Sequence, residues 1–99
     1  MALGDMDLET LRVFRFVRDY HRKHGMPPSQ REIGSGTFMA PATAMQQVTR
    51  LEARGWLTRE FNIPRSIRVG ELAPLDSEVD RLWDELIEKL DATDASKLD

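Results

Sequence analysis

Four polar side chains in the middle of the chain lie at helical spacing and carry groups that can pair with the edges of nucleic-acid bases. They are Thr43, Gln46, Gln47 and Arg50. An amide or a guanidinium can form two parallel hydrogen bonds with adenine or guanine in the major groove. The apolar residues among them recur at spacings of four and three and predict a buried face: Ala44, Val48 and Leu51. We therefore expect the polar set to face solvent and contact bases; the alternative is an ordinary polar helix surface.

A second set of residues is suited to contacts with phosphate: Ser29, Gln30, Arg31, Arg65 and Arg68. The run Ser29-Gln30-Arg31-Glu32 has the form of a capping box, which opens a helix. Free amides and the helix dipole favour an anion at such a helix start, and Arg31 adds a positive charge. Simple capping is the alternative there. Arg65, near the tip of a predicted hairpin, is expected to contact phosphate or the minor groove. Arg68 is a second candidate for a phosphate contact; the alternative is that it is an ordinary surface residue.

Charge is distributed unevenly along the 99 residues, whose net charge is −3. Residues 8–70 hold eleven lysines and arginines against five acids, a net charge of +6, whereas residues 71–99 carry −7. A basic body with an acidic tail is typical of a protein that turns one face towards phosphate. A solvated charged tail with no further role is the alternative.

Enzyme and metal chemistry find little support in the residue types. The chain lacks cysteine, and its two histidines, His21 and His24, would supply only half of a zinc site. Catalytic serine-histidine, cysteine-histidine or convergent carboxylate patterns are not visible. The first ten residues do not show the basic patch and apolar run that are typical of a signal peptide, and no stretch approaches the roughly 18 apolar residues that a membrane span needs. We therefore predict no enzyme activity, no metal, no cofactor and no membrane contact, and a cytoplasmic location.

Apolar periodicity and capping residues predict three helices in residues 8–70. The first covers residues 7–24, with Asp5 or Asp7 as its cap and Gly25 just past its end, and residues 1–7 are expected to form a tail. The second starts at Ser29 and is expected to be short, because Gly34-Ser35-Gly36 should turn the chain and send Phe38 and Met39 into the core. The third runs from Pro41 to Gly55.

Two short β-compatible runs follow the third helix, at residues 56–60 and 66–69, and predict a hairpin. Three helices followed by a hairpin form a winged helix-turn-helix, so the fold class is mainly α with a small β-hairpin. Residues 74–90 predict a further amphipathic helix, and residues 91–99 a disordered tail. We expect the apolar stripe of the helix of residues 74–90 to pair with the same helix of a second copy; the alternative is that it covers the chain's own domain. The residues of this stripe are Val79, Leu82, Trp83, Leu86, Ile87 and Leu90.

Several runs of this sequence closely resemble the DNA-binding domain of LexA-type repressors of the bacterial SOS response. The most specific is Gly25-Met26-Pro27-Pro28-Ser29 followed by Glu32-Ile33. The others are Val13-Phe14, Val17-Arg18-Asp19, Ala40-Pro41-Ala42-Thr43-Ala44, Arg54-Gly55 and Arg65-Ser66-Ile67-Arg68-Val69. The resemblance covers about two thirds of the chain.

The resemblance implies that the start of the third helix approaches the bases and that the wing around Arg65 contacts the DNA backbone. The base-facing positions would be Ala40, Ala42, Thr43, Met45 and Gln46. Ala42 and Met45 stand where the family usually has polar side chains, so an operator different from the family's usual one is expected. The chain ends about where the family's self-cleaving serine-lysine protease domain would begin, which implies a switch other than autocleavage.

Sequence-specific binding of double-stranded DNA by a transcriptional regulator, a bacterial or phage repressor associated with the nucleoid and acting as a homodimer, is therefore our leading hypothesis. The alternative is a protein-interaction module whose winged helix and acidic helix dock on polymerase or on another regulator. Salt dependence separates the two, because affinity for DNA falls steeply as salt rises.

Overall fold

The computed structural model describes residues 6–98, with side chains described through residue 90. Its elements are α1 (Leu8–His24), α2 (Gln30–Thr37), α3 (Pro41–Ala53), β1 (Leu57–Thr58), β2 (Arg68–Val69) and α4 (Asp76–Leu98). The two strands pair antiparallel, with Leu57 opposite Val69. This arrangement confirms the predicted winged helix-turn-helix with an additional C-terminal helix.

Helix α1 begins and ends as its sequence predicts. The Asp7 carboxylate accepts a hydrogen bond of 2.8 Å from the Thr10 amide, and Gly25 ends the helix in the left-handed conformation, with φ of 74°. The side chain of Met6 is buried in the core. Within the predicted tail of residues 1–7, Met6 is therefore part of the core and Asp7 is the cap of α1, while residues 1–5 lie outside the described part of the chain.

Helix α2 is longer than predicted, because Gly34 and Gly36 lie inside it rather than in a turn. A Cβ atom on Gly36 would come within 2.1 Å of the Phe16 ring, so glycine here permits close packing of α2 against α1. The turn falls instead at Phe38, with φ of 59°. Phe38 is 92% exposed, so its predicted burial is wrong, whereas Met39 packs against the core as predicted.

Helix α3 has the predicted ends and the predicted buried face. Pro41 occupies its first turn, and Gly55 follows its end with φ of 78°. Ala44, Val48 and Leu51 are completely buried. The face of α3 opposite these residues is thereby directed away from the core.

The two strands are shorter than the predicted runs, and residues 59–67 form a loop between them. Helix α4 extends to Leu98, past the predicted end at Leu90, so the helix assignment replaces the predicted disordered tail over residues 91–98. Among the described residues, no helix is long and apolar enough to span a membrane.

Candidate nucleic-acid interface

The start of α3 presents most of the predicted base-reading residues on the surface. Ala40, Ala42, Gln46 and Arg50 are exposed, and Thr43 and Met45 are partly buried. An α-helix that leaves one such face uncovered fits the width of the major groove. Six of the seven predicted base-reading residues are therefore at least partly accessible, five of them on α3 and Ala40 at its N-cap.

Gln47 is the exception, and its predicted solvent-facing position is wrong. Its side chain lies inward and the residue is 5% exposed. The Thr10 hydroxyl donates a hydrogen bond of 2.6 Å to the Gln47 Oε1 atom. Gln47 follows Gln46 by 100° around the helix, which turns it towards α1, and burying its amide requires the partner that Thr10 supplies. Gln47 thus joins α3 to α1 and is not available to a base in this conformation.

Arg50 is exposed but not without a partner. Its guanidinium lies 3.4 Å from the Asp7 carboxylate, which also caps α1. Both side chains are more than half exposed, so solvent weakens this ion pair. Arg50 can exchange Asp7 for another acceptor at little cost.

The start of α2 has the capping box that the sequence predicts. The Ser29 hydroxyl accepts from the Glu32 amide at 3.1 Å, and the Glu32 carboxylate accepts from the Ser29 amide at 2.8 Å. Gln30 and Arg31 are exposed beside it. Within the described residues, no hydrogen bond or ion pair holds the Arg31 side chain, so its charge faces solvent.

Arg65 does not extend from the wing as a free cation. Its guanidinium makes a bidentate contact with the Glu32 carboxylate, at 2.8 and 3.2 Å, and donates to the Pro27 carbonyl at 3.1 Å. Arg65 itself has a φ of 54°, a left-handed conformation that turns the chain back towards α2. The expected phosphate contact therefore involves a charge that Glu32 already balances. The sequence does not reveal this pairing, because 33 residues separate the two partners.

Glu32 is the centre of a hydrogen-bonded cluster that it forms with Arg65, Ser29 and Tyr20. Hydrogen bonds from Arg65, from the Ser29 amide and from the Tyr20 hydroxyl lower the pKa of its carboxyl group to about 2. The Glu32 carboxylate correspondingly raises the pKa of Arg65. Glu32 is thus charged at any physiological pH, and it links the wing, the start of α2 and α1 through one carboxylate.

A groove of about 660 Å³ lies between these elements. The start of α2 forms one wall, the wing loop of residues 59–67 forms the other, and Met45 of α3 lies at its side. Arg59, which the sequence did not single out, also lines the groove; its Nε atom is 3.2 Å from Glu52. Arg68 is exposed on β2, paired across the hairpin with Thr58. The exposed face of α3 and the groove together form a continuous surface.

The stripe of α4 covers the chain's own domain for most of its described length. Val79 is fully buried, and three following apolar residues pack against the core: Leu82, Trp83 and Leu86. The Arg15 guanidinium stacks over the Trp83 ring at 4.3 Å, and Asp76 pairs with Arg22 at 2.9 Å. The end of the stripe is the most accessible part: Leu90 is 48% exposed, whereas Ile87 is partly buried like the three residues before it. Of the two interpretations of this stripe, packing on its own domain is the arrangement seen through Leu86.

The histidines do not assemble into a metal site. His24 packs its ring against Tyr20, with centroids 4.1 Å apart. Across the part of the chain that the structure describes, no group of three or more histidine, aspartate or glutamate side chains could hold a metal ion.

Three helices are followed by a two-stranded wing, and one face of the third helix is left exposed. This arrangement defines the class of winged helix-turn-helix proteins. Residues 9–66 match the LexA DNA binding domain, and the chain belongs to this family. It is 35% identical to the LexA repressor of Bacillus subtilis over 71 residues, which are 71% of this chain and 32% of that protein. It is 31% identical to the LexA repressor of Thermotoga petrophila over 69 residues, which are 70% of this chain and 35% of that protein. The chain thus matches about a third of the length of these curated relatives.

Proposed function

We propose that this protein is a transcriptional regulator that binds specific sequences of double-stranded DNA and represses transcription by occupying promoters. The observation that carries the proposal is the uncovered face of α3, which continues into the groove between α2 and the wing. Its membership of a DNA-binding domain family supports the same function.

The base contacts would come from the first two turns of α3. The Gln46 amide can pair with adenine, and the Thr43 methyl and hydroxyl can contact thymine or a base edge. Ala42 and Met45 offer apolar contacts to thymine methyl groups instead of hydrogen bonds. We therefore expect a site rich in A·T pairs at the positions that face these two residues.

The phosphate contacts would come from residues on either side of this helix. Arg31 at the start of α2 combines an exposed guanidinium with the amide-rich end of a helix. Ser29 and Gln30 accompany it, and Arg68 lies on the wing side. Arg65 would act mainly by holding the wing in place, because Glu32 already balances its charge.

Salt dependence tests the DNA proposal. The duplex is selected from random sequences, and its affinity is measured by fluorescence anisotropy between 50 and 200 mM salt, a range over which roughly six to ten phosphate contacts reduce affinity about 10³- to 10⁵-fold. Arg31→Ala should reduce the slope of log affinity against log salt by about 0.9, the value for one phosphate. Arg81→Ala, in the exposed part of α4, is the matched control and should leave the slope unchanged. Weak binding of all duplexes at low salt would refute the proposal.

Base reading is tested separately with Gln46→Ala. This change should relax the preference at one position of the selected site by roughly 1–3 kcal/mol. An equal loss on selected and random duplexes would instead place Gln46 outside the base contacts.

Repression is tested by transcription in vitro from a promoter that overlaps the selected site, where added protein should reduce the amount of transcript. An unchanged or increased amount of transcript would contradict repression.

We further propose that two copies bind together, through the accessible end of the α4 stripe. The residues that support this are Ile87 and Leu90, because the preceding part of the stripe is already covered. The double change Ile87→Ser and Leu90→Ser should convert a dimer to a monomer in sedimentation equilibrium. A monomeric wild-type protein would contradict this dimer.

The alternative of a protein-docking module has one supporting observation. Helix α4 exposes a row of acidic side chains: Asp80, Asp84, Glu85 and Glu88. A module of this kind would bind a basic partner and would not bind duplex DNA at low salt, so the salt experiment above decides between the two functions.

A further inference from the structure

The wing carries an apolar tip that the packing of the domain does not explain. Phe61 is 82% exposed and Ile63 is 54% exposed. Both lie in the loop of residues 59–67 and line the groove beside α2. A large aromatic ring left in water forgoes most of the free energy that burial would give it, which makes such a tip a candidate contact surface.

Hydrogen bonds close the loop that carries the tip. The Ser66 hydroxyl donates to the Glu60 carbonyl and accepts from the Glu60 amide, each at 3.0 Å. The Ile63 amide donates to the same carbonyl at 3.2 Å, and Asn62 between the two apolar residues adopts a left-handed φ of 64°. The contact of Arg65 with Glu32 then fastens the base of the loop to α2. The apolar side chains are therefore presented by an ordered loop.

The chemistry of the tip is unsuited to phosphate. Residues 60–64 contain one acid and no lysine or arginine, and both flanking cations have carboxylate partners: Arg59 pairs with Glu52 and Arg65 pairs with Glu32. Whatever the tip contacts beside a nucleic acid is therefore an apolar part of it. In a duplex these parts are the thymine methyl groups in the major groove, the sugar edges, and the base faces, which become accessible when adjacent base pairs separate.

We propose that Phe61, supported by Ile63, is an apolar wedge that enters the minor groove and partly separates two stacked base pairs. The inference rests on the proposed DNA binding, and the position of the tip carries it: Phe61 and Ile63 line the same groove as Arg31 of α2 and Met45 of α3. We place the wing in the minor groove next to the major groove that α3 would occupy, because the wing loop and Met45 of α3 line one groove. Apolar side chains that enter there commonly act as wedges, and pyrimidine-purine steps open most easily. Phe61 thus adds selectivity for a flexible step that α3 does not touch.

The experiment places the fluorescent base analogue 2-aminopurine at successive positions of the selected duplex flanking the α3 contacts. Its fluorescence increases when stacking is lost. Wild-type protein should increase the signal about twofold at one step only, and Phe61→Ala should abolish the increase and weaken binding about tenfold. Phe61→Leu, which keeps a large apolar side chain, should retain most of both effects. Leu75→Ala, which removes an exposed apolar side chain from another surface, is the control and should behave like wild type.

Each other outcome has a defined meaning. Wild-type binding with unchanged fluorescence at every step overturns the wedge and leaves the proposed function intact. Weaker binding by Phe61→Ala with an unchanged fluorescence increase also overturns it, since Phe61 would then contact the groove without opening a step. Self-association of the free protein that Phe61→Ala abolishes would assign the tip to a second copy of the chain instead. Failure of the wild-type protein to bind any duplex overturns both proposals.

Discussion

The buried contact between Thr10 and Gln47 gives a direct test of the division between structural and base-reading residues on α3. Thr10 is 3% exposed, and its hydroxyl faces two acceptors, Asp7 at 2.8 Å and Gln47 at 2.6 Å. Thr10→Val keeps the shape of the side chain but leaves the Gln47 carbonyl oxygen buried without a donor. A buried orphan of this kind costs about 1–3 kcal/mol of unfolding free energy.

The companion change should behave differently. Gln47→Leu leaves the Thr10 hydroxyl with Asp7 as its acceptor, so it should cost less than Thr10→Val. The double variant should also be more stable than Thr10→Val alone, because replacing both partners with apolar groups removes the orphan. Gln46→Leu, one residue away and exposed, should change stability by no more than about 0.5 kcal/mol.

Urea unfolding of the four variants measures these differences, and thermal unfolding gives a second readout of about 4–8 °C for each kcal/mol in a chain of this size. The same variants are then tested on the selected duplex. Gln47→Leu should keep the wild-type base preference and Gln46→Leu should lose it at one position. A Thr10→Val variant as stable as wild type would refute the structural role of the Thr10–Gln47 contact. A Gln47→Leu variant with changed base preference and unchanged stability would refute the assignment of Gln47 as a structural residue.

Three further predictions concern stability. Gly70→Ala should destabilise the fold by roughly 1–3 kcal/mol in urea, because its Cβ atom would lie 2.4 Å from the Gly55 carbonyl oxygen, which side-chain rotation cannot relieve; wild-type stability would contradict this contact. The Glu32 pKa of about 2 lies below its ordinary value of 4.5, so its stabilising effect is complete above pH 4.5 and is lost as pH falls towards 2. Urea midpoints should therefore fall less over this range for Glu32→Gln than for wild type, and equal falls would argue against the Arg65 pairing. Removal of residues 71–99 takes Val79 out of the core and should unfold the domain, which circular dichroism would show as a loss of helical signal. A folded product would show that α4 is dispensable.

Much of the fold follows from local sequence signals. The caps of α1, the capping box at Ser29 and the proline start of α3 each depend on contacts within one turn of helix, which the sequence displays directly. The buried face of α3 follows from its apolar spacing. These features were therefore predictable from the residues alone.

The structure differs from the sequence-based prediction where a contact with a distant part of the chain determines the local conformation. Gly34 and Gly36 predict a turn by their propensity, but the ring of Phe16 requires the close approach that Gly36 allows, and the helix continues. Phe38 then takes the turn and remains in solvent. At Gly36, tertiary packing thus outweighs a local preference of about 1 kcal/mol.

The candidate site shows the same division. The exposed face of α3 could be predicted from periodicity, but the inward position of Gln47 depends on Thr10 of another helix. The turning back of Arg65 depends on Glu32, and the apolar character of the wing tip becomes meaningful only once that pairing is seen. Residue type alone favours arginine as a phosphate contact, and it does not show that a carboxylate already neutralises the charge.

The link from Glu32 to Arg65 also has a consequence for the kinetics and entropy of recognition. A loop that is ordered only on contact loses conformational freedom at that moment, which reduces affinity. Here the bidentate contact of Arg65 with Glu32 already joins the wing to α2 before any target binds. Encounter with a target would then require the right orientation but no rearrangement of the wing, so variants that release the link should slow productive association even where every direct contact residue is retained.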